Sequence, residues 1–283
     1  MFSKLRNRLA AWLPHRGPGV DHWLDQLQND NDRYRWEAAA ALRPYSGRDR
    51  VVSALVGALG DPHPFVRWQA TESLSESQNP RTLDLLLAAL STRDPRRRSA
   101  AADALGKLGG ERAIPALRKA LASRNGEVRC SAAEALGRLG DEAAVPNLLA
   151  LLGDEDVHVR RSVVGALGEI GSPAAAERVI PLLEDQAALV RAAAAETLGK
   201  IGVSVDTAPL RRALHDADAG VRWQAVQALA ALGDAQDLAA LKQLLHDQSR
   251  VFDLSISEAV QSTIEAIVQR QAKGAPADAS AQR

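Results

Sequence analysis

The sequence predicts an all-α protein, a right-handed superhelix of seven or eight two-helix repeats of about 31 residues each. Three observations carry this prediction. Ala and Leu, which lead the scale of helix propensity, are abundant, while the 283 residues include only 5 Trp, 2 Tyr and 3 Phe. One sequence motif recurs at an almost constant step. Within each copy, the apolar residues follow the period of an α-helix.

The clearest copy of the motif runs from Val128 to Gly140, and its Arg129 has a counterpart in six other copies. The counterparts are Arg35, Arg67, Arg98, Arg160, Arg191 and Arg222, separated by steps of 31 or 32 residues. An eighth, degenerate copy has Ser257 in place of the Arg, after a loop expanded around Ser249–Leu254. Such a period predicts stacked units that bury their apolar faces against each other.

The second helix of each repeat, helix B, has a fixed apolar face. A small residue stands three positions after the Arg, with Val163 the exception, and a Leu stands seven positions after it. Offsets of 0, 3 and 7 lie on one side of a helix. The Leu residues are Leu42, Leu74, Leu105, Leu136, Leu167, Leu198 and Leu229. Left-handed glycines are expected to end helix B at Gly109, Gly140, Gly171, Gly202 and Gly233.

The first helix of each repeat, helix A, is exemplified by residues 143–152 and 174–183. Pro173 and Pro209 fall early enough to be tolerated, whereas Pro115 and Pro146 are expected to kink it. A short connector rich in Asp joins the two helices.

The pattern Val-Arg-x-x-Ala-x-x-x-Leu-Gly-x-Ile/Leu-Gly resembles the HEAT-like repeat named after the phycobilisome (bilin) lyases, over residues 20–271. The resemblance implies a HEAT-like, armadillo-type solenoid whose B helices line the concave surface. It implies no single activity, because such repeats serve many roles. Residues 1–19 are interpreted as a basic amphipathic cap on the first repeat, with membrane-surface contact through residues 1–13 as the alternative. Residues 272–283 are predicted to be a disordered tail.

The charges balance, with 35 Lys plus Arg against 35 Asp plus Glu, which argues against nucleic acid as the main partner. The seven repeating arginines are predicted to form a structural ladder with Asp61, Asp154, Asp185 and Asp216, each six residues before an Arg. The basic run from Arg93 to Arg98 is interpreted as a solvated connector, with nucleic-acid binding as the alternative.

Candidate partner-binding residues lie on helix B, one and five positions after the Arg, on a side that faces away from the core. Large amphipathic rings at such positions commonly anchor interfaces. The candidates at these positions are Trp36, Trp68, Glu72 and Trp223, and Glu76, four residues after Glu72, is a further candidate. Glu72 and Glu76 are expected to lack neutralising partners, and eight of the ten aromatic residues precede residue 70. The alternative is that each Trp folds over its neighbouring helix.

These features favour a non-catalytic scaffold that binds a protein partner, without cofactor, metal or catalytic residues. The lone Cys130 fits a reducing, cytoplasmic compartment. The resemblance also allows a bilin lyase-type subunit that assists chromophore attachment to phycobiliproteins. A third class, the HEAT-repeat deoxyhypusine hydroxylases, binds iron with His-Glu pairs, and no His-Glu dipeptide occurs here. The oligomeric state stays open.

Overall fold

The computed structural model describes residues 18–202, 206–251 and 254–274, and residues 1–17 of the predicted cap, which spans residues 1–19, lie outside this range. The chain divides into two compact units at Gly109 and Gly110. Each unit consists of helices that follow one another as A and B partners. The predicted all-α class is confirmed, apart from one two-residue hairpin.

Unit 1 contains six α-helices within residues 18–109. They are α1 (Val20–Gln26), α2 (Asp32–Ala41), α3 (Asp49–Ala58), α4 (Pro64–Ser75), α5 (Arg81–Leu90) and α6 (Pro95–Leu108). The even-numbered helices are the B helices, and α4 packs against both α2 and α6. A 3₁₀ turn, Arg43–Tyr45, follows α2.

Unit 2 continues the alternation with ten α-helices within the described part of residues 110–274. They are α7 (Ile114–Ala120), α8 (Gly126–Arg138), α9 (Val145–Leu149), α10 (Val157–Ile170), α11 (Ala176–Val179), α12 (Ala188–Ile201), α13 (Ala208–Ala213), α14 (Ala219–Leu232), α15 (Leu238–Gln243) and α16 (Ile256–Gly274). Consecutive B helices pack on each other from α8 to α16. In the predicted expanded loop, β1 (Arg250–Val251) pairs antiparallel with β2 (Leu254–Ser255). α16 continues to Gly274, and the predicted tail beyond it lies outside the described residues.

The core of each unit is built from the two columns that the sequence predicts. All seven Leu residues at offset seven are at most 2% exposed, and Val163 and the six Ala residues at offset three are fully buried. Small side chains at one offset let neighbouring helices approach, while Leu fills the layer between helix A and helix B. The predicted apolar face of helix B is confirmed.

The A helices are shorter than predicted, because proline divides several of them. In the segment around Pro115, a 3₁₀ turn, Glu111–Ala113, precedes α7, and Pro115 is the second residue of that helix. Pro146 has the same place in α9, so neither proline kinks a helix interior. A proline without an N–H is tolerated in the first turn, where that donor has no partner in any case.

Four of the five predicted helix-ending glycines have positive φ, and the fifth prediction is wrong. Gly109, Gly140, Gly171 and Gly202 have φ between 64° and 79°. Gly233 instead has φ −69° and ψ 156°. The chain there enters a 3₁₀ turn that Asp234 caps, and a Cβ on Gly233 would lie 2.5 Å from the carbonyl oxygen of Leu229. Close approach, rather than a left-handed conformation, requires glycine at this position.

Consecutive B helices of unit 2 touch at glycine. A Cβ on Gly137 of α8 would lie 2.8 Å from the Cα of Ala166 in α10. A Cβ on Gly168 of α10 would lie 2.8 Å from Oγ1 of Thr197 in α12. Gly165, in contrast, has no atom within 4 Å of the position that a Cβ would take.

We expect Gly137→Ala to lower the free energy of unfolding by about 1–3 kcal/mol, because the added methyl group forces α8 and α10 apart. The matched variant Gly165→Ala, also within a B helix, should raise it by about 0.5–1 kcal/mol through helix propensity. Urea denaturation of both variants measures the difference. Equal effects of the two substitutions would contradict the close packing at Gly137.

Candidate functional site

Five of the seven repeating arginines near the starts of the B helices each connect three segments of backbone. Arg160 donates from Nη1 to the carbonyl oxygen of Asp154, at 2.9 Å, in the connector of its own repeat. Its Nε and Nη2 donate to the two carboxylate oxygens of Asp185, at 2.8 and 2.9 Å, in the connector of the next repeat. The arginine therefore links the start of one B helix to the connector that precedes the next.

The same geometry recurs in both units, and we call each Arg and the Asp it binds a rung of the Arg–Asp ladder. Four rungs are bidentate: Arg35–Asp61, Arg129–Asp154, Arg160–Asp185 and Arg191–Asp216. In the fifth, Arg222 binds Asp247 through Nε and the hydroxyl of Ser249 through Nη2. Each Asp thus pairs with the Arg 25 or 26 residues before it, not with the Arg six residues after it. Asp247, absent from the sequence prediction, has no Arg six residues on.

Each ladder Asp also orders its own connector. Asp185 accepts a hydrogen bond from the backbone N–H of Ala187 at 2.8 Å, and the other four ladder Asp residues accept one from the N–H two positions on. The second acid of the connector has a separate role. Asp156 caps α10 by accepting from the N–H of His158, and Asp218 caps α14 by accepting from the N–H of Val221. In these connectors, the first Asp therefore forms the rung and the second Asp caps the helix.

The rungs are mostly withdrawn from water, with side chains between 7% and 18% exposed. Hydrogen bonds from Arg160 and Arg191 lower the pKa of Asp185 and of Asp216. Burial raises the pKa of Asp154, but the hydrogen bonds from Arg129 outweigh it and the pKa lies below its usual range. These carboxylates are held in the charged form by the fold.

The ladder changes at two consecutive arginines, Arg67 and Arg98. The residues 25 positions after them are Thr92 and Ser123, where the later repeats have Asp. Both arginines keep the bond to their own connector, since Nη1 of Arg67 lies 2.8 Å from the carbonyl oxygen of Asp61 and Nη1 of Arg98 lies 2.9 Å from that of Thr92. The part of the chain that the structure describes gives neither arginine a carboxylate partner.

Aromatic side chains are exposed on α4 of unit 1. Trp68 is 45% exposed and Phe65 is 60% exposed, and both lie on one side of the helix because they are three residues apart. The ring of Phe65 lies 5.7 Å from that of His63. Phe65 was not singled out in the sequence, although its spacing from Trp68 is a signal that points to it. Trp36, at the equivalent position of α2, is half-buried, and its Nε1 is buried without a hydrogen-bond partner among the described residues.

The expectation that Glu72 and Glu76 lack neutralising partners is wrong. Nζ of Lys107 lies 2.6 Å from the carboxylate of Glu72 and 3.1 Å from that of Asp103. Glu76 pairs with Arg43 at 3.1 Å. Burial opposes the charge on Lys107, but the bond to Glu72 and the charge of Asp103 outweigh it, so the pKa of Lys107 is raised. The partners lie 33 and 35 residues away, beyond the reach of a search along one helix.

Two further residues considered in the sequence, Trp223 and Cys130, belong to unit 2. Trp223 is half-buried on α14 of unit 2 and stays a prediction. Cys130 is half-buried on α8, and burial raises the pKa of its thiol, which disfavours the reactive thiolate. Among the described residues, no three His, Cys, Asp or Glu side chains are grouped to hold a metal ion. No described helix combines the length and apolar character that crossing a membrane requires.

A family model described as HEAT repeats matches residues 20–104, 76–126, 117–199 and 176–260. The chain belongs to the HEAT-repeat family. The predicted resemblance is thereby confirmed at the level of the repeat and the fold. A search of curated proteins gave no match.

Solved structures of other proteins are similar to this chain at low sequence identity. The Escherichia coli protein YibA is 18% identical, with 89% of this chain and 93% of that chain covered and a TM-score of 0.64. A chain from a structure of Kap95p with RanGDP is 15% identical, with 88% and 42% covered and a TM-score of 0.61. A chain from the CpcE–CpcF complex of phycocyanin lyase from Nostoc sp. is 24% identical, with 90% and 98% covered and a TM-score of 0.47. The likeness to YibA and to the Kap95p–RanGDP chain shows the fold alone.

The lowered pKa of Asp154, Asp185 and Asp216 predicts acid-labile stability. An Asp has a pKa of about 3.9 in the unfolded chain, and these three residues have a lower pKa when folded. Their contribution to the free energy of unfolding is therefore complete above the unfolded-state pKa and is lost as pH falls through the folded-state pKa. We expect the melting temperature to fall steeply below about pH 4, and Asp185→Asn to reduce this dependence while lowering stability at neutral pH. Thermal melts at stepped pH measure both. An unchanged acid slope in Asp185→Asn contradicts the charge assignment.

Proposed function

We propose that this protein is a non-catalytic HEAT-repeat scaffold that binds a protein partner through an aromatic surface on the B helices of unit 1. The surface consists of Trp36, Phe65 and Trp68, bordered by Glu72 and Lys107. One observation carries the proposal: two large rings on one side of α4 stand open to water in a protein with few aromatic residues.

Exposing these rings to water is unfavourable, and the fold does not need them at these positions. The repeat positions of the buried Leu and Ala columns already form the core, so Phe65 and Trp68 add no core contact of that kind. Binding of a partner that covers large exposed apolar side chains removes them from water, which favours the complex. Aromatic rings contribute most to binding at the centre of interfaces. Position supports the same conclusion, because Trp36 occupies in α2 the place that Trp68 occupies in α4, and the two helices are in contact.

The ion pairs define the chemistry of the partner. Glu72 is compensated by Lys107, and Glu76 by Arg43, so neither carboxylate needs a basic partner residue. The aromatic half of the surface lies toward the start of α4 and the compensated charges lie toward its end. We infer a partner segment that is apolar over Phe65 and Trp68 and polar over Glu72 and Lys107, as the apolar face and flank of an amphipathic helix would be.

We expect Trp68→Ala and Phe65→Ala to release the partner while leaving the free energy of unfolding within about 1 kcal/mol, since exposed rings contribute little to folding. Leu189→Ala is the matched control, because Leu189 is 38% exposed at the position of unit 2 that corresponds to Phe65. Co-purification from the native host, quantified by mass spectrometry, measures retention. Retention of the same proteins by all three variants, or release only with lost stability, contradicts the proposal.

A further inference from the structure

Three hydrogen-bond donors hold each bidentate ladder carboxylate, and we call this set of donors the carboxylate cradle. For Asp185 they are Nε and Nη2 of Arg160 and the backbone N–H of Ala187, at 2.8, 2.9 and 2.8 Å. The cradles of Asp61, Asp154 and Asp216 have the same three donors at 2.7–3.0 Å. The set is a fork of two parallel N–H groups plus one amide, which fits a planar carboxylate.

Unit 1 has the same three donors at the equivalent repeat positions, Nε and Nη2 of Arg67 and the backbone N–H of Asp94, but the ladder Asp is replaced. At the position of the ladder Asp stands Thr92, whose hydroxyl donates to the carbonyl oxygen of Ala89 at 2.9 Å. Nη1 of Arg67 is held by the carbonyl oxygens of Asp61 and Pro62 at 2.8 and 3.0 Å, as in the complete rungs. Within the described residues, Nε and Nη2 of Arg67 and the N–H of Asp94 have no hydrogen-bond acceptor.

The charges around this cradle add to its preference for an anion. Arg93, Arg96, Arg97 and Arg98 lie within six residues of Thr92, and Nη1 of Arg98 binds the carbonyl oxygen of Thr92 itself. Nε of Arg97 is buried without a hydrogen-bond partner among the described residues. Asp94, the one acid of the run, caps α6 by accepting from the N–H of Arg96 at 3.1 Å. The local charge is therefore positive in a protein whose net charge is zero.

We propose that the cradle of Arg67 and the Asp94 amide binds an acidic side chain, Asp or Glu, supplied by a protein partner. The complete rungs show that this donor set takes a carboxylate, and the surrounding arginines raise the local concentration of acidic segments. The site joins Arg67 of α4 to the connector before α6 and uses neither aromatic ring, so its failure would leave the proposed scaffold function untouched.

Binding of a short fluorescent poly-glutamate peptide, followed by anisotropy, tests the site. Thr92→Asp fills the cradle from within the chain, so it should weaken peptide binding about tenfold and raise the melting temperature. Thr92→Val, which leaves the cradle open, should bind as the parent does. Arg67→Gln and Arg96→Gln remove equal charge, but only Arg67→Gln removes cradle donors. Only Arg67→Gln should therefore lower the affinity for the peptide by close to tenfold.

The outcomes separate a specific cradle from a general attraction to arginine. No binding by the parent protein, or equal weakening in Arg67→Gln and Arg96→Gln, overturns the proposal. An unchanged affinity in Thr92→Asp overturns it as well, whatever the stability of the arginine variants. Displacement of the peptide by inorganic phosphate or by a poly-dT oligonucleotide at lower concentration than by acetate or free poly-glutamate would assign the site to phosphate instead of carboxylate.

Discussion

In five of the repeats, a single arginine lets one helical pair position the next. Its Nη1 closes the connector of its own repeat, and its Nε and Nη2 fix the Asp that orders the connector of the following repeat. That connector in turn sets where the next B helix begins, and therefore which Leu and Ala side chains face the neighbouring layer. A pair of short helices cannot bury its apolar faces alone, so the ladder and the core columns depend on each other.

The interruption of the ladder and the exposed aromatic rings occur in the same unit, which gives unit 1 a different chemistry from unit 2. In unit 2 the recurring Asp residues satisfy the arginines from within, and the helix contacts are formed by Gly, Ala and Leu. In unit 1, Arg67 keeps two donors without an acceptor among the described residues, and α4 keeps two exposed rings. Both are features that folding alone does not use, and both are suited to a second molecule.

The features of the structure that follow from periodicity within one helix agree most closely with the sequence prediction. The offsets of Leu136 and Ala132 from Arg129 are set within one helix, so the buried face could be predicted residue by residue. Partners across repeats could not, because several Asp residues stand at plausible spacing and only tertiary packing chooses among them. The pairing of Glu72 with Lys107 depends in the same way on a segment far along the chain.

The coupling between Arg191 and Asp216 tests the central role of the ladder most directly. A double-mutant cycle of Arg191→Gln and Asp216→Asn, measured by urea denaturation of the full chain, isolates their interaction from the other effects of each substitution. The bidentate geometry and low exposure predict a coupling free energy of about 1–3 kcal/mol. Effects that simply add, with no coupling beyond about 0.3 kcal/mol, would contradict the account.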